Sequence, residues 1–386
     1  MPNSPKRILI VAGEASADRY GAHLVDTLRS LHDRDSLDFY GTGGDAMQNA
    51  GVRLLCHVRE LAHIGVREAL SSLQTYIRTF RRLIDHSNRQ PPDVAVLIDF
   101  PDFNLRLAKK LKRSGIKVIY YISPQIWAWR SGRIRSIRAY VDKMLVILPF
   151  EEEYYRRRGV EVEFVGHPLL EDFLPCYSRE SFLGEVNLDP RLMTVAILPG
   201  SRPKEIDYLL PTLLRAALGI LKKIPAQFLI SAAPSIDLNH IKRITRSTIQ
   251  GNPHEGCFRI STADSRDILA NADFAFVKSG TSSLEAALVG TPYLITYKIS
   301  PISWGIGAIL IRSPMKGLVN LIAQEKIVPE LFQRKASPEA LANLALEYLS
   351  EPEKRAAMRS RLAGIRGQLG KRCASETVAK VVSSFL

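Results

Sequence analysis

The sequence predicts an α/β protein built from two consecutive doubly wound domains, and three observations carry this. Short apolar, β-branched runs recur with helix-length amphipathic segments between them. That alternation lapses once, near the middle of the chain. The length, 386 residues, also exceeds what one ordinary core holds.

The runs are RILIVA (7–12), DVAVLIDF (93–100), KVIYYISP (117–124), KMLVILP (143–149) and VEFVG (162–166), then TVAILPG (194–200), AQFLISAA (226–233), DFAFVKSG (273–280) and YLITYK (293–298). Each is apolar on both faces, as strands of a helix-covered parallel sheet are. Between Leu170 and Met193 the chain turns polar and proline-punctuated, and the domain boundary is expected there. This gives domains 1–169 and 170–366. The last segment, ETVAKVVSSFL, has the pattern of a helix that packs back on either domain, and residues 367–386 are assigned to complete the first. In doubly wound sheets the ligand lies beyond the carboxyl ends of the strands, so a cleft faced by both domains is expected and the residues just after each strand matter most.

Hydrophobic residues at 46% and charged residues at 24% are globular values, which argues against disorder. The formal charge of +14 favours an anionic partner without choosing one. Cys56, Cys176, Cys257 and Cys373 are far apart, suggesting neither a disulfide framework nor a zinc site, and a reducing compartment is expected. MPNSPKR leads directly into a strand with no export-signal pattern, and the apolar stretch 299–311 falls short of the roughly 20 residues that span a bilayer.

Four loops after strand-like runs attract attention. In AGEASADRYGA (12–22), Gly13 permits a tight turn and Ser16 or Asp18 is placed to cap the next helix. The three-glycine dinucleotide spacing is missing. GTGGDAM (41–47), after DFY, is a permissive turn. ILPGSRPKE (197–205) brings Gly200, Ser201 and Arg202 to a strand end, where amides, a hydroxyl and a planar cation suit phosphate. KSGTSSLEAALVGTP (278–292) enters a helix through Ser279, Gly280 and Thr281, with Glu285 about one turn in, placed for a ribose hydroxyl or for the helix dipole. Two phosphate-suited loops in one domain favour a nucleotide diphosphate.

LIDFPDFN (97–104), YYISPQIWAWR (120–130), ILPFEEEYY (147–155), FVGHPL (164–169), ILPGSR and SGTSSLEAALVGTP, in this order, resemble the lipid-A-disaccharide synthases from residue 8 into the 370s. The resemblance implies the two-domain GT-B fold. It implies transfer of 2,3-diacylglucosamine from UDP to 2,3-diacylglucosamine 1-phosphate, releasing UDP and forming a β-1,6 disaccharide. It also implies UDP-sugar binding by Gly200, Ser201, Arg202, Ser279, Gly280, Thr281, Glu285 and Asn320, and an acceptor side containing Gly13, Glu14, Ser16, Asp18, Asp102 and Asn104. Two positions depart from the family: LVNL (318–321) has Val319 where proline is usual, and Ala17 stands where glycine is usual.

Inverting transfer needs a base for the attacking hydroxyl and positive charge for the leaving diphosphate. Asp99, at a strand end, suits the first demand and Arg202 the second. Asp102, in PDFNLRLAKKLK, reads equally as the shaper of a helix entry. His167 is open between substrate contact and support of the domain hinge, and His63 reads as packing. The only Asp-x-Asp, at 33–35, sits in a polar surface stretch, so no metal and no other cofactor is expected.

In IGVREALSSLQTYIRTFRRLIDH (64–86), Val66, Leu70, Leu73, Ile77, Phe80 and Ile84 make a helical stripe, expected in the core for most of its length. Its end, beside Arg78, Arg81 and Arg82, is expected to meet acyl chains or an anionic bilayer. SPISWGIGAILIRSPMKGL (300–318), with Trp304, is an interfacial element or a linking helix. The expected location is the cytoplasm, with peripheral attachment to the inner membrane; the sequence leaves the oligomeric state open, a homodimer among the options. Trp127 and Trp129 among arginines belong to no nucleic-acid module, and no nucleic-acid partner is expected. Competing readings are another GT-B UDP-sugar enzyme, either an epimerase or a lipid-linked N-acetylglucosaminyltransferase, and a non-catalytic basic binding protein, which leaves Asp99 unexplained.

Overall fold

The computed structural model describes residues 5–33, 36–61, 69–127, 130–171, 177–298, 315, 317–370 and 373–386. The chain divides into two compact units, Met1–Glu171 with Leu369–Leu386, and Asp172–Gln368.

The first unit contains β1 (Lys6–Val11), β2 (Leu37–Gly43), β3 (Arg53–His57), β4 (Val94–Ile98), β5 (Lys117–Tyr121), β6 (Lys143–Val146) and β7 (Val162–Phe164). They form one parallel sheet in the order β3-β2-β1-β4-β5-β6-β7. The order reverses between β1 and β4, so the loops after these two strands flank the switch point where such sheets bind ligands. One face is covered by Tyr20, Leu24, Val25 and Leu28 of helix Ala15–Leu31. Val378, Ala379 and Val382 of helix Ala374–Ser383 join that same layer, so the amphipathic last segment packs on the first unit. The returning chain is fixed where it arrives. His167 N–H donates to the Leu369 carbonyl at 3.0 Å, and the Glu171 carboxylate accepts from the Ser375 amide and hydroxyl at 2.6 and 2.5 Å.

The second unit contains β8 (Thr194–Leu198), β9 (Gln227–Ser231), β10 (Phe258–Ser261), β11 (Phe274–Lys278), β12 (Tyr293–Tyr297) and β13 (Glu330–Phe332), parallel throughout in the order β10-β9-β8-β11-β12-β13. Its switch point lies between β8 and β11. All nine apolar runs are strands, and DFY extends into β2. The strands not anticipated, β3, β10 and β13, are short sheet edges whose sequences RLLCH, FRIS and ELF mix polar with apolar residues.

Helix Ala69–Arg89 differs from its expected stripe. Among its described side chains Thr79, Leu83 and Ser87 are buried, and Tyr76 and Phe80 meet the rings of Phe100 and Phe103. Ile77, expected in the stripe, is 43% exposed. It lines a surface groove with Gln74, Arg78, Arg81, Arg82 and Asp85. Of the expected stripe, Phe80 and Ile84 do pack against the core of the first unit, and Ile77 is the described member that does not. Val66, the side chains of Leu70 and Leu73, His63, Trp129, Trp304, Arg34, Asp35, and Cys176 lie outside the described residues. Among the described residues no helix is long and apolar enough to cross a membrane.

Candidate active site

In the first unit the site is organised by a left-handed turn. Asp99 and Phe100, directly after β4, have φ of 48° and 52°. Aspartate tolerates this region, whereas a bulky residue is strained there. The surroundings hold the turn in place. Asp99 N–H donates to the Tyr121 carbonyl at 2.9 Å, and the Asp99 carbonyl accepts from the Tyr120 hydroxyl at 2.6 Å and Asn104 Nδ2 at 2.8 Å. Asn104 Nδ2 also reaches the Ile98 carbonyl at 3.2 Å. Pro101 then starts helix Pro101–Arg113, where its missing N–H costs nothing.

Gly13 serves this turn as well. A Cβ on it would stand 2.3 Å from the Phe100 ring, so glycine is required by a neighbour's approach rather than by a tight bend. Gly13→Ala is expected to destabilise the protein by about 1–3 kcal/mol, the usual size of overpacking, and to lower turnover by moving the Asp99 turn. Thermal unfolding and a rate assay on the same preparation check both effects.

Beneath the turn lies an acid that the sequence reading did not single out. Glu151, third residue of helix Pro149–Arg156, is buried. It accepts from the Ser123 hydroxyl at 2.7 Å, the Trp127 indole at 3.0 Å and the Leu148 amide at 3.3 Å. Burial pushes its carboxyl up to about 7; those three hydrogen bonds oppose the shift, and the charge of Asp99 adds to it. The unfolded chain gives up this proton near the ordinary value of 4.5 and the folded chain near 7, so folded protein binds the extra proton between them. Stability therefore falls as pH rises through that window, by about 3 kcal/mol at most. In Glu151→Gln the term is absent. The variant's melting temperature relative to the parent is expected to climb between pH 4.5 and 7 and level off above; a flat difference would rule the shift out.

Several expected site residues spend their polar atoms inside the fold. Asp18 accepts from the amides of Gly44 at 2.6 Å, Ala46 at 3.1 Å and Met47 at 3.0 Å, so it caps the short helix Asp45–Asn49 and not its own. Ser16 does not cap either: its hydroxyl donates to Glu14 at 2.9 Å, and Glu14 holds the N-cap position without a side-chain cap bond. Asn104 is wholly buried, and its Nδ2 acts on the turn through the Ile98 and Asp99 carbonyls. Asp102, 66% exposed, sits in the first turn of its helix and pairs with Arg130 at 2.9 Å and with Arg133. It bonds arginines from the WAWR region rather than the amides of a helix entry. His167 is buried, its Nδ1 accepts from Leu169 N–H at 3.2 Å, and burial lowers its pKa to about 3, leaving a neutral, structural histidine.

In the second unit, helix Pro203–Leu221 follows β8 with Arg202 at its N-cap, and helix Thr281–Val289 follows β11 with Gly280 at its N-cap. Adjacent strands in register, Leu198 opposite Val277, bring the two loops side by side. Gly200 and Gly280 have φ of 119° and 147°, conformations that side-chain-bearing residues rarely adopt. Ser201 offers its carbonyl to Ser235 at 3.0 Å. Glu285 is buried in its helix and accepts from the Ser265 hydroxyl at 2.9 Å.

Asn320 requires a correction. It is wholly buried, Nδ2 donating to the Val328 carbonyl and Glu330 at 2.8 and 2.7 Å, Oδ1 accepting from the Ile327 and Val328 amides at 2.9 Å each. Its hydrogen-bonding capacity is used in holding β13, with none left for a nucleotide.

Lys278 and Glu205 were missed by the sequence reading, although both stand in the loops it singled out. The signal available was the cation immediately before SGT and the acid three residues after Arg202. Glu205 Oε1 accepts from Lys278 Nζ at 2.9 Å and from Arg202 at 3.2 Å.

Two parallel α/β units, with glycine-bearing loops and cations at the switch point of the second, have the architecture of the GT-B fold class. Solved structures agree on the fold. The UDP-N-acetylglucosamine 2-epimerase of Neisseria meningitidis superposes with a TM-score of 0.68 at 11% identity, covering 98% of this chain and 100% of that one. The calicheamicin glycosyltransferase gives 0.60 at 15% identity, covering 99% and 98%. The family model described as lipid-A-disaccharide synthetase matches residues 8–382, and the lipid-A-disaccharide synthase of Syntrophus aciditrophicus (strain SB) is 43% identical over 383 residues, 99% of this chain and 98% of that protein. The chain belongs to the lipid-A-disaccharide synthase family, and it is a glycosyltransferase. The competing GT-B readings are not favoured, since the family match spans nearly the whole chain.

Proposed function

We propose that this chain transfers 2,3-diacylglucosamine, with inversion, from UDP-2,3-diacylglucosamine to the 6-hydroxyl of 2,3-diacylglucosamine 1-phosphate. The products are the β-1,6 disaccharide 1-phosphate and UDP. The observation that carries this reading is the family match over residues 8–382.

The chemistry follows from the residues at the strand ends. As the hydroxyl oxygen bonds to the anomeric carbon, its proton goes to Asp99 and the bond from that carbon to the diphosphate oxygen breaks. The charge left on UDP is received by Arg202 and by the amides of the Gly200–Ser201 and 279–281 loops, donors that stabilise it most as it develops. Glu285 is suited to a ribose hydroxyl. These groups meet the diphosphate without a metal, and metal independence is part of the proposal.

Both substrates carry acyl chains, and the exposed Ile77 beside Arg78, Arg81 and Arg82 supports attachment to an anionic surface, the cytoplasmic face of the inner membrane. Each basic residue near such a surface contributes about 1 kcal/mol. The homodimer belongs to the same reading and is checked by light scattering.

Mass spectrometry after incubation of the two substrates in detergent, with and without chelator, tests the function. A tetra-acylated disaccharide 1-phosphate in both samples is expected. Folded protein that yields no disaccharide would sink the proposal, and product lost only with chelator would sink its metal-free part.

A further inference from the structure

We propose that Lys278 is a second cation of the diphosphate site, held there by the buried carboxylate of Glu205 acting as its positioning residue. The inference rests on the donor-site reading above and adds a residue to it.

Glu205 is 5% exposed, yet it sits where an anionic substrate is expected. A lone carboxylate would repel a diphosphate. Here one oxygen, Oε1, holds two cations, Lys278 at 2.9 Å and Arg202 at 3.2 Å, while Oε2 is buried without a hydrogen bond. The trio thus carries a net positive charge, and the carboxylate lets two like charges stand close together.

The glycines fit the same arrangement. A Cβ on Gly200 would stand 2.7 Å from Glu205 Oε2, so that glycine gives the carboxylate its room. A Cβ on Gly280 would stand 3.6 Å from Lys278 Nζ, so the ammonium lies against the start of helix Thr281–Val289. Tyr297 flanks it, with its ring centroid 5.2 Å away. Lys278 is only 16% exposed at its side chain, against 67% for Arg202. A cation held this firmly needs little reorganisation when charge develops on the leaving group, which is the condition for electrostatic catalysis.

A purely structural ion pair would give the same geometry, so the test separates charge on the diphosphate from stability. The double variant Glu205→Gln/Lys278→Met removes both members of the pair and leaves no unpaired buried charge. Binding of UDP and of uridine is measured by calorimetry on the full chain. The variant is expected to lose at least tenfold in UDP affinity with uridine affinity unchanged within twofold, and kcat is expected to fall about a hundredfold; Lys278→Arg is expected to recover most of both. Equal UDP affinity in parent and double variant overturns the inference alone, whereas a parent that binds no UDP overturns the donor-site reading with it. Should the variant fail to fold, peptide mapping after reductive methylation of the parent decides. UDP, but not uridine, is expected to slow methylation of Lys278 at least fivefold, and equal rates overturn the inference.

Discussion

Asp99→Asn is expected to lower turnover at least about a hundredfold while leaving the melting temperature nearly unchanged, from the usual contribution of a positioned base. The reason for choosing asparagine lies in the turn. Residue 99 has φ of 48°, and asparagine shares aspartate's tolerance of that region, whereas alanine would add backbone strain. The bonds that fix the turn run through the backbone N–H and carbonyl of residue 99, and both survive the change. The change removes the carboxylate's charge and with it the ability to take a proton. Initial rates at saturating substrates, alongside thermal unfolding, check the prediction, and a folded variant with near-parental turnover would remove Asp99 from the mechanism.

Arg202→Ala is expected to cost a similar factor, at least about a hundredfold, through loss of charge at the departing diphosphate. Stability is expected to change by less than about 1 kcal/mol, because the guanidinium is 67% exposed, so solvent screens its half of the pair with the buried Glu205. Lys278 still neutralises Glu205 in that variant, so no buried charge is stranded. A rate loss that tracks a loss of folded protein would instead mark Arg202 as structural.

The parallel sheets were legible because buried strands of this kind are apolar on both faces, and DVAVLIDF or DFAFVKSG permits little else. The edges were not: RLLCH pairs on one side only, so its polar residues are tolerated and the pattern dissolves. At the candidate site the sequence located the loops better than the duties within them. Asp18, Asn104 and Asn320 are polar residues in the stretches singled out, but their partners, backbone groups and for Asn320 also the Glu330 carboxylate, are assigned only by the folded chain, 26 residues away for Asp18 and Gly44. Glu151 and Glu205 were overlooked for the converse reason. An acid in the first turn of a helix, as in PFEEEYY and PKEID, has a ready explanation in the helix dipole, and nothing local reveals that it is buried.

The packing of helix Ala374–Ser383 on the first unit has a consequence for how the protein is made. Residues 172–368 form an uninterrupted stretch, so the second unit is supplied in full before the first, which was begun earlier, receives its last layer. During synthesis the apolar face around Leu24 and Val25 waits, uncovered, for Val378 and Val382. A premature stop shortly after residue 368 would therefore spare the unit just completed and injure the one translated at the start.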